Sequence, residues 1–186
     1  MIKQTWTGDS GSTKLSGGEA TTKDSLRVDA YGDVDELNSF VGMARSRVED
    51  KNIDAVLREI QNDLFVIGAE LAKAKPNEKS TLSKERVEWI ESIVKKVDTQ
   101  LPDLTKFILP GGSPAAALLH ISRSVARRAE RKCVMLKRNE IVASGYRLGN
   151  KIYFLPTLTD AQTKDTTRPY PQKGLIDMVR RTLFVR

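Results

Sequence analysis

Arg123 and Arg127 lie four apart in a segment with helical periodicity, which stacks their guanidiniums one turn from each other. A guanidinium is a planar fork of donors suited to phosphate oxygens. Glu130 follows Arg127 by three residues, within reach to hold it in one orientation. Arg128, Arg131 and Lys132 widen the cationic surface. Two readings of this face stay open. It is a phosphate site, or it is a solvated basic face that pairs with the acidic stretch 25–82, the ordinary fate of charged residues.

Other residues with chemical capacity are less specific. His120 falls on the same row as the two arginines. It is the only histidine, so no second imidazole completes a metal site, and packing is its ordinary role. Asp33, Asp35 and Glu36 cluster where the first helix is expected to begin, a place that favours acids through the helix dipole. A carboxylate pair for acid–base work is the alternative. Near the N-terminus, GDSGSTK has the glycines, hydroxyls and lysine of a phosphate loop. The Walker A spacing is not met: only two residues separate Gly8 and Gly11, and no glycine immediately precedes Lys14. A P-loop NTPase is excluded. A different Gly/Ser/Thr phosphate cradle and a flexible arm both remain open.

Composition limits what these residues can belong to. A length of 186 residues allows one domain with a sizeable core. Aromatics are only 6%, which disfavours a β-rich fold. The net charge of +7 invites an anionic partner. Residues 114–138 hold seven basic groups and one acidic group, so nearly the whole excess sits on the arginine segment. One cysteine, Cys133, excludes an intrachain disulfide and argues against cysteine-based metal sites. No apolar run reaches the roughly 18 residues of a membrane span, and MIKQTWTGD lacks a signal-peptide core. The cytoplasm is the expected compartment.

The elements that must position the arginines are helical. Val34, Leu37, Val41, Ala44 and Val48 predict a first helix. Ile53, Val56, Leu57, Ile60, Leu64, Ile67 and Leu71 predict a second, ended before Pro76. Ser83 is a cap for a third, with Val87, Ile90, Val94, Val97 and Leu101 on one face. Ser113-Pro114 opens a fourth, running to about Lys137 with Leu118, Ile121, Val125, Ala129, Cys133 and Leu136 as its stripe. On that stripe Arg123 and Arg127 point away from the helix's own core. Residues 141–158 predict a weaker fifth helix, interrupted by Gly145, Gly149 and Pro156. The expectation is an all-α helical bundle in a single domain 1–186, with an arm at 1–24, the bundle at 33–158 and an irregular tail at 159–186.

Three blocks carry a family resemblance. They are TGDSGSTKL (7–15) with Lys23, RVDAYGDVDELNSFVG (27–42) with IQNDLFVIGAELA (60–72), and FILPGGSPAAALLHISRSVARRAERKCV (107–134). In order and spacing they resemble the PduO-type ATP:cob(I)alamin adenosyltransferase family. The resemblance implies a ferritin-like five-helix bundle, assembled as a homotrimer with sites between subunits. It implies transfer of the 5′-deoxyadenosyl group of ATP to cob(I)alamin, with Mg²⁺ held chiefly by phosphate oxygens. Matched by position, Thr5, Thr7, Gly8, Asp9, Gly11, Ser12 and Thr13 would wrap the triphosphate, with Lys23 adding a cation. Arg127 would contact phosphate, and Glu130 would help orient the nucleotide. Asp35 and Arg123 would join subunits at the corrinoid site, Phe107 would pack below the corrin, and Asn38 would line the same pocket. A cobalamin reductase or an adenosylcobalamin-dependent enzyme would be its working partner, with no nucleic acid or membrane involved.

The chain departs from the family pattern in two places. Trp6 stands where a basic residue is usual. The fifth-helix Asn-Arg-Leu-Ser-Asp motif becomes Tyr146-Arg147-Leu148-Gly149-Asn150, which leaves adenosine anchoring by that helix in question. These departures motivate one alternative, a non-catalytic corrinoid- or nucleotide-binding homologue. The charge alone motivates another, a nucleic-acid-binding module, although stacking aromatics are not interleaved with the basic residues.

Overall fold

The computed structural model of the chain describes residues 8–74, 82–99 and 109–139. In chain order these form β1 (Ser12–Lys14), β2 (Ala20–Thr22), α1 (Leu26–Arg45), α2 (Lys51–Leu71), α3 (Lys84–Asp98) and α4 (Pro114–Asn139). The expected fifth helix and the tail lie outside the described residues.

Local chemistry starts each helix. The hydroxyls of Ser25, Ser83 and Ser113 accept from the backbone N–H three residues on, at 3.4, 3.4 and 3.2 Å. Asp50 caps α2 through the N–H groups of Asn52 and Ile53. Each satisfies a donor that the first helical turn would otherwise leave open.

α1 is the central helix, packed against both α2 and α4. Its buried row is Ala30, Val34, Leu37, Val41 and Ala44, alternating steps of four and three. α2 answers with Leu57, Ile60, Leu64, Ile67 and Leu71. This spacing keeps one seam facing its partner along the whole length, as in antiparallel bundles. Leu37, Leu57, Leu71, Leu119 and Leu136 are fully buried, so truncating any of them to Ala costs about 2–5 kcal/mol. α3 is tied to α2 by Arg86, which donates to both carboxylate oxygens of Asp63 at 3.1 and 2.8 Å and lies over the Trp89 ring. Among the described residues no helix is long and apolar enough to cross a membrane.

The structure corrects three expectations. First, α1 begins at Leu26, not near residue 33. The buried row runs back to a charged residue, Arg27, which hides its apolar continuation from a pattern search. Asp33, Asp35 and Glu36 therefore sit in the helix interior, beyond the reach of the dipole at its first turn. Second, the inner face of α4 is rotated from the expected stripe. Val125, Ala129 and Leu136 of that stripe are buried and Leu118 and Cys133 pack against the core, but Ala115, Leu119, Ser122 and Ala126 are buried as well, whereas Ile121 is 42% exposed. Small side chains let the α4 backbone approach its neighbour closely, so Ala and Ser do the burying that pattern reading assigns to Ile and Leu. Third, the all-α expectation is incomplete in the arm. A two-stranded antiparallel hairpin pairs Ser12 with Thr22, Thr13 with Thr21 and Lys14 with Ala20. The mostly helical fold thus carries one small sheet.

Candidate functional site

The rotation of α4 changes the position of its arginines. Arg123 and Arg127 follow Ser122 and Ala126 of the inner row by one residue each, about 100° around the axis. They flank the core and do not oppose it, and both are half-buried. His120 shares their row and is 3% exposed. Neither ring nitrogen of His120 has a hydrogen-bond partner among the described residues. Burial, and then the positive charge of Arg123, hold its pKa below the usual 6.5, so the ring is neutral at physiological pH. This agrees with a packing role.

The next arginine serves a different purpose. Arg128 donates to Asp33 at 3.2 Å and pairs with Glu36, and Lys132 pairs with Asp29. Three α1 acids thus neutralise two α4 cations, and the acidic-stretch reading applies to that half of the basic surface. Arg127 is not drawn in. Among the described residues it has no hydrogen bond or ion pair. Glu130 is half-buried on the same row.

On α1, Asp35 is exposed and makes no ion pair among the described residues. Asn38 is half-buried, and its backbone carbonyl accepts from Gln61 at 3.0 Å. Its side-chain Oδ1 is buried without a hydrogen-bond partner among the described residues. Gln61 also accepts from Arg45 at 2.8 Å, and Arg45 grips both oxygens of Asp54, whose pKa falls as a result. The α1–α2 seam behind Asn38 is therefore a fixed polar network.

The hairpin gathers a second set of residues. The N–H of Gly11 donates to the Gly8 carbonyl at 3.1 Å, and Gly11 adopts φ +81°, a left-handed conformation that other residues enter at a cost. The N–H of Lys23 donates to the Gly11 carbonyl at 2.8 Å. A Cβ built on Gly8 would stand 3.1 Å from the Lys23 ammonium. Gly8, Gly11 and Lys23 thus meet at the mouth of the hairpin, with the cation directly over the glycine backbone. Asp9 and Ser12 are exposed beside them, and Thr13 is half-buried. No hydrogen bond or ion pair joins this turn to Arg127 among the described residues. Thr5, Thr7, Phe107, Tyr146 and Asn150 lie outside those residues.

The chemistry available is binding and charge stabilisation. Burial, with Asp33 and Glu130 nearby, pushes the Cys133 thiol up to about 12, so it supplies no thiolate. No group of three potential metal ligands occurs among the described residues. Pattern reading does not single out Arg27, a buried cation whose guanidinium donates to the carbonyls of Leu71 and Lys73. The available signal was its place three residues before Ala30, on the continuation of the buried row.

Known proteins share this architecture. A solved variant of the PduO-type ATP:corrinoid adenosyltransferase from Lactobacillus reuteri, complexed with cobalamin and ATP, is 35% identical, with a TM-score of 0.72 over 86% of this chain and 88% of that one. Another variant, complexed with ATP, is 30% identical, with a TM-score of 0.80 over 92% and 99% of the two chains. The corrinoid adenosyltransferase of Bacillus subtilis (strain 168) is 45% identical over 144 residues, 75% of this chain and 74% of that protein. The cobalamin adenosyltransferase family model matches residues 3–155, a span that takes in the hairpin, the central α1 and the arginine row of α4. A chain with that fold, that arginine row and those relatives belongs to the cobalamin adenosyltransferase family.

Proposed function

We propose that this chain transfers the 5′-deoxyadenosyl group of ATP to cob(I)alamin, forming adenosylcobalamin and triphosphate. The observation that carries this reading is the division on α4: Arg128 and Lys132 are neutralised by α1, while half-buried Arg127 keeps its guanidinium for an incoming anion. Relatives complexed with ATP and cobalamin supply the substrate classes.

The reaction asks little covalent chemistry of the protein. Co(I) of the substrate attacks the ribose C5′, the Co–C bond forms, and the C5′–O bond breaks with its electron pair leaving on triphosphate. No protein nucleophile is required, in keeping with a protonated Cys133 and a neutral His120. The protein's tasks are to align the reactants and stabilise the leaving charge. Gly8, Asp9, Gly11, Ser12, Thr13 and Lys23, with Thr5 and Thr7 before them, take the triphosphate. Exposed backbone and the Lys23 ammonium at the hairpin mouth support this role. Arg127 contacts phosphate and Glu130 orients the nucleotide. Mg²⁺ rides chiefly on phosphate oxygens and water, and no step here depends on a protein metal cage.

The corrinoid half of the site uses Asn38, Phe107, Asp35 and Arg123. The buried, unpartnered Oδ1 of Asn38 supports a place beside a ligand. Phe107 excludes water and the lower axial ligand, which eases reduction to Co(I). Asp35, exposed on α1, reaches Arg123 of a neighbouring copy in a homotrimer. Exposed Phe65, Leu109, Met43 and Met135 support burial against further chain.

The test is anaerobic. With ATP, Mg²⁺ and chemically reduced cobalamin, Co(I) absorption converts to that of an alkylcobalamin, and triphosphate is released in equal amount. Ligand binding without conversion would instead make the chain a non-catalytic homologue.

A further inference from the structure

Arg27 is placed where a cation is least welcome. It lies in the first turn of α1, at the positive end of the helix dipole, and is only 5% exposed. Arginine is rarely buried this far unless its donors are matched. Here one nitrogen, Nη1, donates to the carbonyl of Leu71 at 2.9 Å and to that of Lys73 at 2.8 Å. These carbonyls belong to the C-terminal end of α2, where the dipole is negative and the last carbonyls have no partner within the helix.

The carbonyl between them is taken as well. Ala72 accepts from the N–H of Ser16, in the loop joining β1 to β2, at 2.8 Å. Three successive carbonyls, 71 to 73, are thus gripped by the segment 16–27. The hairpin needs such a hold. Its strands are three residues each and mostly exposed, and a two-stranded ribbon of that size is marginal on its own.

We infer that Arg27 is a positioning residue for ATP: it clamps the root of the hairpin to the end of α2 and so fixes where Gly8, Gly11 and Lys23 meet the triphosphate. The inference rests on the hairpin taking the triphosphate. Arg27 touches no reactant, so its effect falls on ATP affinity and not on the chemical step.

The experiment compares steady-state kinetics of Arg27→Met, Arg27→Lys, Ser16→Pro and Gly11→Ala. Losing charged-donor hydrogen bonds raises KM for ATP about tenfold in Arg27→Met, with kcat and the corrinoid KM within about twofold of the parent. Arg27→Lys recovers part of the loss. Ser16→Pro removes the donor to Ala72 from an exposed loop, leaves the bundle intact and raises KM for ATP in the same direction, which covers an Arg27→Met chain that fails to fold. An unchanged KM for ATP in these variants, while Gly11→Ala raises it, overturns the inference and spares the hairpin reading. An equal rise in both KM values also overturns it. If Gly11→Ala leaves KM for ATP unchanged, the hairpin reading has failed and the inference falls with it.

Discussion

Arg127 and Arg128 are neighbours in sequence with opposite expected responses to the same substitution. Arg128 is 41% exposed and pairs with Glu36, itself 44% exposed, so that pair contributes only about 0.5 kcal/mol. Asp33 is different, at 17% exposure. Its Oδ1 accepts from Arg128, and its Oδ2 is buried with no hydrogen-bond partner among the described residues. Arg128→Ala therefore strands a largely buried carboxylate, which adds about 1–2 kcal/mol. The combined loss of about 2 kcal/mol corresponds to a fall of roughly 6 °C in Tm for a chain of this size. Arg127→Ala removes no described partner and leaves Tm within about 2 °C. Its cost appears in kcat/KM for ATP, about 30-fold if one charge-assisted phosphate contact of about 2 kcal/mol is lost. The assays are thermal unfolding and the anaerobic conversion. Arg128→Ala combined with Asp33→Asn regains about half of the lost stability, because an amide tolerates the site without a counter-charge. If Arg128→Ala leaves Tm unchanged while Arg127→Ala lowers it, the division of labour on α4 is wrong.

Three further outcomes follow from other parts of the molecule. His120 has a lowered pKa in the folded state, so its stabilisation is complete above the unfolded value near 6.5 and declines as pH falls below it; Tm measured from pH 7.5 to 5 drops, and His120→Gln flattens the part due to this residue. Gly11→Ala forces a side chain to φ +81° and costs about 1 kcal/mol locally; KM for ATP rises while the unfolding midpoint of the bundle stays in place. Phe107→Ala leaves ATP binding by calorimetry unchanged and slows formation of the alkylcobalamin, whereas parallel loss of both would make Phe107 a packing residue.

The sequence revealed most where the chemistry is local. Ser83 and Ser113 were readable as caps because a hydroxyl, a following helix former and an N–H three residues on suffice to make one. The row of α2 was readable because all but one of its buried positions, Glu70, are Leu or Ile. The start of α1 was hidden because Arg27 and Ala30 occupy buried positions, one charged and one small. The face of α4 was rotated for a related reason: Ala and Ser bury by closeness, a property of two helices together and not of one. The hairpin left no trace because strands of three residues are too short to show alternation. The arginines themselves were legible as a pair. Which arginine was already neutralised depended on α1, nearly a hundred residues away in the chain.

The Ala and Ser row on the inner face of α4 has a consequence for how this enzyme can change. Ala115, Ser122, Ala126 and Ala129 are all fully buried, and overpacking a filled core costs about 1–3 kcal/mol per site. The arginine row is carried by that helix and inherits its immobility. The hairpin, with exposed faces and no share in the core, tolerates change outside Gly8, Gly11 and Lys23. A library selected for altered triphosphate affinity should therefore yield its productive substitutions in residues 8–23 outside Gly8, Gly11 and Lys23, while Ala115, Ser122, Ala126 and Ala129 return unaltered. The chain separates an adaptable grip from a rigid anvil, and directed evolution can read that boundary directly.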